Sequence, residues 1–146
     1  RRTLSYFFVS LAILFSISYS QDNILSVGNA DIVAGETTNF EISLSNPNDV
    51  IAGFELYLTD FPNSYGTYIS VDGTDRTSGF TISANEQPDG TYIIVGFDLT
   101  LAGIQPGEGP IVSIGYQSDA IYTAEIDIHF GSQSILSDVV GSALGY

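Results

Sequence analysis

The stretch "VIAGFELYLTDFP", Val50 to Pro62, sets Phe54, Leu56 and Leu58 in strict alternation with Glu55, Tyr57 and Thr59. Side chains alternate across an extended strand, so a period of two describes a ribbon with one oily side and argues against an amphipathic helix, whose period is 3.6. The same pattern recurs from Gln21 onward. It predicts eight strands, at 24–27, 38–44, 51–59, 68–71, 80–84, 92–99, 111–116 and 124–130, and no convincing helix. Turn-forming residues separate them: Ala34-Gly35-Glu36, Asn46-Pro47-Asn48-Asp49, Asp72-Gly73, Pro88-Asp89-Gly90 and Gln105-Pro106-Gly107. Short strands with frequent turns are the pattern of an all-β sandwich or barrel.

The alternation also predicts which residues face inward. These are Phe40, Ile42 and Leu44; Phe54, Leu56 and Leu58; Phe80, Ile82 and Ala84; Ile93, Val95 and Phe97; Val112, Ile114 and Tyr116; and Ala124, Ile126, Ile128 and Phe130. A slip of one residue in any strand would exchange its two faces.

At the front of the chain, Arg1 and Arg2 precede an apolar run from Tyr6 to Ile17, and Ser18-Tyr19-Ser20 supplies small residues before Gln21. This order of charge, apolar run and small residues is that of a secretory signal peptide, and the run is shorter than the ~20 apolar residues of a membrane-spanning helix. Residues 1–20 are therefore set apart as a leader lacking its initiator methionine. Residues 21–146 are expected to form one domain outside the cell, with no membrane insertion once the leader is gone.

After residue 20 the chain holds 17 carboxylates and a single strong cation, Arg76. Nucleic acid and anionic membranes are poor partners for such a surface, because almost nothing on it neutralises phosphate. The acidity serves solubility, or a basic protein partner. Cysteine is absent, which removes disulfides, thiolate metal sites and cysteine nucleophiles together.

Little in the sequence points to catalysis. His129 is the only histidine and alternates outward between Ile128 and Phe130, so zinc with an ordinary ligand set is not expected. No serine lies in a Gly-x-Ser-x-Gly elbow, and the carboxylates are scattered. Asp72-Gly73-Thr74-Asp75 lacks the Asp-x-Asp-x-Asp-Gly order of a calcium loop and reads as a plain turn. The chain is expected to be no enzyme, with no cofactor and no metal.

Four segments taken in order resemble the cohesin-type domain: "VGNADIVAGETTNFEISLSN", "VIAGFELYLTDFP", "YIIVGFDLTLAGIQPGEGPIVSIGY" and "SILSDVVGSALGY". They place a glycine turn before a long strand, a glycine-aromatic strand at Gly53-Phe54, and an Ile-x-x-Gly-x-Gly turn at Ile104 to Gly109. A closing Ser-Asp-x-x-Gly-x-Ala-Leu follows at Ser137 to Leu144. The resemblance implies a two-sheet jelly-roll sandwich of nine strands, of which eight are predicted above. The family's last strand would follow Leu144, so truncation by Tyr146 would leave the strand at 24–27 with an unpaired edge. The turn Thr59-Asp60-Phe61-Pro62 departs from the family's tyrosine-aspartate-proline form.

The resemblance further implies a partner-binding face on the sheet holding the strands at 124–130, 51–59, 91–99 and 80–85. Its outward residues would be Glu125, Asp127 and His129; Glu55, Tyr57 and Thr59; Tyr92, Ile94 and Gly96; and Thr81, Ser83 and Asn85. Tyr57, Tyr92 and Ile94 would form an apolar centre inside a polar rim, the anatomy of a protein interface. The function so implied is a secreted, non-catalytic module that docks a dockerin-like protein partner in polysaccharide-degrading or cell-surface assemblies. In that family the dockerin side binds the calcium, and no dockerin repeat occurs here. Two alternatives stand beside it: a carbohydrate-binding module stacking polysaccharide on Tyr57 and Tyr92, which the absence of tryptophan weakens, and a structural or adhesive surface domain.

Overall fold

The computed structural model describes residues 22–62, 65–119 and 125–146. The expected leader lies outside them, as does Ala124. Ten strands follow one another: β1 (Ile24–Val27), β2 (Thr37–Asn46), β3 (Gly53–Phe61), β4 (Gly66–Gly73), β5 (Thr81–Glu86), β6 (Tyr92–Phe97), β7 (Gly107–Ser118), β8 (Asp127–Phe130), β9 (Ile135–Ser137) and β10 (Ala143–Leu144). A single 3₁₀ turn, Asp75–Thr77, is the one helical element among the described residues. Asp72 and Gly73, read as a turn, belong to β4 instead.

The strands form two antiparallel sheets facing each other. The four-stranded sheet runs β1-β2-β7-β4; the six-stranded one runs β10-β9-β3-β6-β5, with β8 also paired to β3. The fold is thus an all-β sandwich, as expected, and β1 pairs only with β2 among the described residues. Between the sheets lie Phe40, Ile42 and Leu44 of β2, Phe54, Leu56 and Leu58 of β3, and Ile111, Val112, Ile114 and Tyr116 of β7. Ile111 joins Val112 inside because the β2–β7 register shifts between Ile42 and Ser43, so two consecutive residues of β7 both turn to the core.

One expected row is inverted. Tyr92 (6% exposed) and Ile94 (0%) are core residues, and Ile93, Val95 and Phe97 face out. The cause is local. The run Tyr92-Ile93-Ile94-Val95 is apolar on both sides, so alternation alone cannot orient it. Gly96 decides: a β-carbon there would sit 2.2 Å from the Phe54 ring, which fills the space a side chain would need. Gly96 must therefore face inward, and it carries Ile94 and Tyr92 with it by the pleat. Tyr92 then stacks on Tyr68 with ring centroids 4.3 Å apart.

The two ends of the sandwich are tied by polar groups. At one, the Arg76 guanidinium donates to the carbonyls of Leu44 (2.6 Å), Gly109 (3.2 Å) and Gln105 (3.0 Å) and to Asn46 Oδ1 (2.6 Å). The only strong cation of the domain is thereby committed to the fold. At the other, the buried Asp60 carboxylate accepts a 2.8 Å bond from the Tyr116 hydroxyl.

Candidate functional site

β3 lies inside the six-stranded sheet, so its outward residues sit in the middle of that sheet's open face. Register places Glu55 opposite Val95 and Ile135, Tyr57 opposite Ile93, Thr59 opposite His129, and Phe61 opposite Asp127. On β5, Ser83 pairs with Val95, Asn85 with Ile93 and Thr81 with Phe97. Paired residues of an antiparallel ladder point to the same side. Glu55, Tyr57, Thr59, Thr81, Ser83, Asn85, Asp127 and His129 therefore share the one outer face predicted for them, and exposed Glu125 precedes β8 beside it.

Tyr92, Ile94 and Gly96 do not belong to that face. With Tyr92 packed inside against Tyr68, the two-tyrosine sugar platform loses half of its surface. The residues that replace them are more apolar than expected: Ile93, Val95 and Phe97 from β6, Ile135 from β9, and Phe61 at the far end of β3, which is 66% exposed. Sequence reading missed the β6 residues through the inverted parity. It missed Ile135 because β9 is only three residues long, too short for alternation to register.

Tyr57 is held from several directions. Its hydroxyl donates to Glu55 Oε1, two residues along the same face. That hydrogen bond is the main reason its pKa lies above the ordinary tyrosine value, so the phenol stays protonated. Its backbone is fixed as well: the N–H donates to Ser134 Oγ at 3.0 Å, and the carbonyl accepts from the Gly131 N–H at 2.7 Å. Residues 131–134 interrupt what would otherwise be one long strand, dividing it into β8 and β9, both paired to β3.

Chemically, the face offers three aromatic rings, those of Tyr57, Phe61 and Phe97, and several aliphatic side chains, with hydroxyl, amide and carboxylate groups around them. Among the described residues, no group of three or more His, Asp or Glu is arranged to hold a metal ion. No helix among them is long and apolar enough to cross a membrane.

Comparison with protein-family models and with curated protein sequences returns no match. Comparison with solved structures does. The sixth cohesin of scaffoldin B from Acetivibrio cellulolyticus, solved in complex with a Cel5 dockerin mutant, superposes with a TM-score of 0.74 at 16% identity, covering 86% of this chain and 92% of that one. The cohesin CaCohA2 of Clostridium acetobutylicum gives 0.69 at 19% identity, over 86% and 84% of the two chains. A non-cellulosomal cohesin of the archaeon Archaeoglobus fulgidus gives 0.65 at 14% identity, over 85% and 83%. At these identities the likeness speaks for architecture, and the architecture of this chain is the cohesin fold.

Proposed function

We propose that this chain is a non-catalytic binding module that docks a dockerin-like protein on the outer face of its six-stranded sheet, outside the cell, as part of a polysaccharide-degrading or cell-surface assembly. One observation supports this most directly. Folding requires one apolar side per sheet, yet β6 is apolar on both, and its outer side (Ile93, Val95, Phe97) adjoins Tyr57 and Ile135 in a patch over which no strand among the described residues packs. Aromatic and aliphatic residues grouped within a polar border suit the centre of a protein interface. The cohesin of Acetivibrio cellulolyticus, similar in fold, was solved with a dockerin bound. A signal peptide ahead of the domain would supply the extracellular setting.

Isothermal titration of the domain against a panel of dockerins and a panel of polysaccharides tests this reading. The expected result is a dockerin complex that is lost in Val95→Asp while the thermal midpoint is little changed. A complex that tolerates Val95→Asp, or polysaccharide binding lost in Tyr57→Ala, would replace this function with another.

A further inference from the structure

Between the sheets, at the end where β3 finishes, the core changes character. Tyr68 of β4 stands opposite Tyr116 of β7, and their rings meet edge to face with centroids 5.2 Å apart. Across the sandwich, Tyr68 stacks on Tyr92 of β6. Two carboxylates join these phenols from the six-stranded sheet. Tyr92 is the register partner of Leu58 on β3 and of Glu86 on β5. Asp60 is the next inward residue of β3 after Leu58, and Glu86 continues the inner row of Ile82 and Ala84, so the two acids flank Tyr92 from either side. Asp60 is 8% exposed and accepts the Tyr116 hydroxyl, whereas Glu86, the last residue of β5, is exposed and leaves the place open to solvent.

A carboxylate taken out of water needs a compensating charge or a proton. From Gln21 onward the sequence holds two side chains that could supply positive charge, Arg76 and His129. Arg76 is tied to carbonyls at the opposite end, and exposed His129 stands on the outer face opposite Thr59. Compensation therefore comes from outside the chain. The Tyr68 hydroxyl indicates its form. Tyr68 is 7% exposed, and its hydroxyl is buried with no hydrogen-bond partner among the described residues. Both acids nonetheless bear on it: after burial itself, the Asp60 charge, then Tyr116 and Glu86, push its pKa up. A hydroxyl that feels two carboxylates and bonds to neither leaves room for a third species among them, one that takes oxygen ligands.

We propose that a divalent cation of the calcium class binds between the sheets at this end, held by the carboxylates of Asp60 and Glu86 and the phenol oxygen of Tyr68, with water completing its shell. Calcium accepts about six to eight oxygens in a flexible arrangement, which suits a half-open place built from mixed ligands; magnesium demands a stricter octahedron. The site has two carboxylates rather than three, and the phenol supplies the third protein oxygen. Its ligands come from three strands, so no local motif announces it. The ion ties β3 and β5 of one sheet to β4 of the other. With two charged ligands and one side open to water, its affinity belongs in the weak range of extracellular calcium modules, a Kd of about 10⁻⁴ to 10⁻³ M. The site is independent of the docking face.

Terbium luminescence of the whole chain is the test, because Tb³⁺ enters calcium sites and is excited through tyrosine, and the chain has no tryptophan to compete. The expected result is saturable emission that Ca²⁺ displaces and Mg²⁺ displaces about tenfold less readily. Glu86→Gln, at an exposed position, should weaken Ca²⁺ binding about tenfold, since charged ligands set the affinity. Tyr68→Phe should fold as well as the parent in EDTA yet lose part of the rise in thermal midpoint that calcium chloride gives the parent. Glu41→Gln, which removes a carboxylate from the outer side of the four-stranded sheet, should change nothing. Emission that falls as far in Glu41→Gln as in Glu86→Gln would assign the ion to the diffuse charge of an acidic surface. A calcium-induced rise that sodium chloride of equal ionic strength reproduces, or that survives both Glu86→Gln and Tyr68→Phe, would remove the site. No calcium binding, together with a midpoint that climbs on mild acidification in the parent and not in Glu86→Gln, would put a shared proton in the ion's place.

Discussion

The two sheets turn unlike surfaces to solvent. On the four-stranded sheet, the outward row of β2 is Asn39, Glu41, Ser43 and Ser45, facing Gly115 and Ser113 of β7, while Thr67, Ser70 and Asp72 continue it on β4. Apart from Ile24 on the edge and Ile69 at the irregularity in β4, that face is what alternation alone would produce: oily inside, polar outside. The outer side of the six-stranded sheet instead carries Tyr57, Ile93, Val95, Phe97 and Ile135. Both sheets satisfy the core, so the second apolar row of the six-stranded sheet is more than the sandwich needs, which supports the docking face proposed above.

The most severe way to break this contrast is at Gly96. Gly96→Val pushes a side chain into the Phe54 ring and should cost about 3 kcal/mol in urea denaturation. A neutral result would mean that β6 has the opposite parity and that Tyr92 and Ile94 belong outside after all. Next, Arg76→Ala removes a charged donor from the ends of β2 and β7 and should cost about 2 kcal/mol, while leaving the proposed docking on the opposite sheet intact.

Val95→Thr sharpens the comparison from the other side. It keeps the branched shape and the strand preference, so stability should stay within about 0.5 kcal/mol, whereas the same exchange at Val112 in the core, where a hydroxyl would lack a partner, should cost about 2 kcal/mol. Equal costs would show that Val95 is packed rather than presented.

A smaller effect concerns acid. The hydroxyl and backbone donors of Thr100 and the Gly103 N–H lower the Asp98 pKa below the usual carboxylate value. The stabilisation is therefore complete above the unfolded value, near about 4, and is lost as pH falls through the lower folded one. Asp98→Asn should flatten the acid limb of a thermal-midpoint profile, leaving the profile nearly level from about pH 6 to about pH 8. Smallest of all is Tyr68→Phe. The Tyr68 hydroxyl is buried without a hydrogen-bond partner among the described residues, so its removal should leave stability unchanged or slightly raised.

Much of the sandwich was legible from alternation, and the failures have physical causes. β1 was predicted to the residue, and β2, β3 and β7 were found with their inward rows correct because polar residues alternate cleanly there. β9 and β10 were not found: at three and two residues they are shorter than any repeat a period of two can establish. Ile51, which the sequence reading placed at the start of the strand at 51–59, lies just outside β3, and it joins Ile104, the first residue of the Ile-x-x-Gly-x-Gly turn, through an isolated bridge that leaves both fully buried. The error on β6 had a readable signal. A glycine in an otherwise apolar strand marks a close approach by a neighbour, and giving Gly96 that weight would have oriented Tyr92 and Ile94 correctly.

The break between β8 and β9 has a consequence for how faithfully the molecule keeps its two sides apart. With the Tyr57 amide caught by Ser134 and its carbonyl by Gly131, β3 is bolted at mid-length and cannot creep by one position. Such a creep would drive Glu55 and Tyr57 into the interior and throw Leu56 and Leu58 into water. Gly131 and Ser134, two unassuming loop residues, thus act as the latch that keeps the outer side of the sheet from being turned inward.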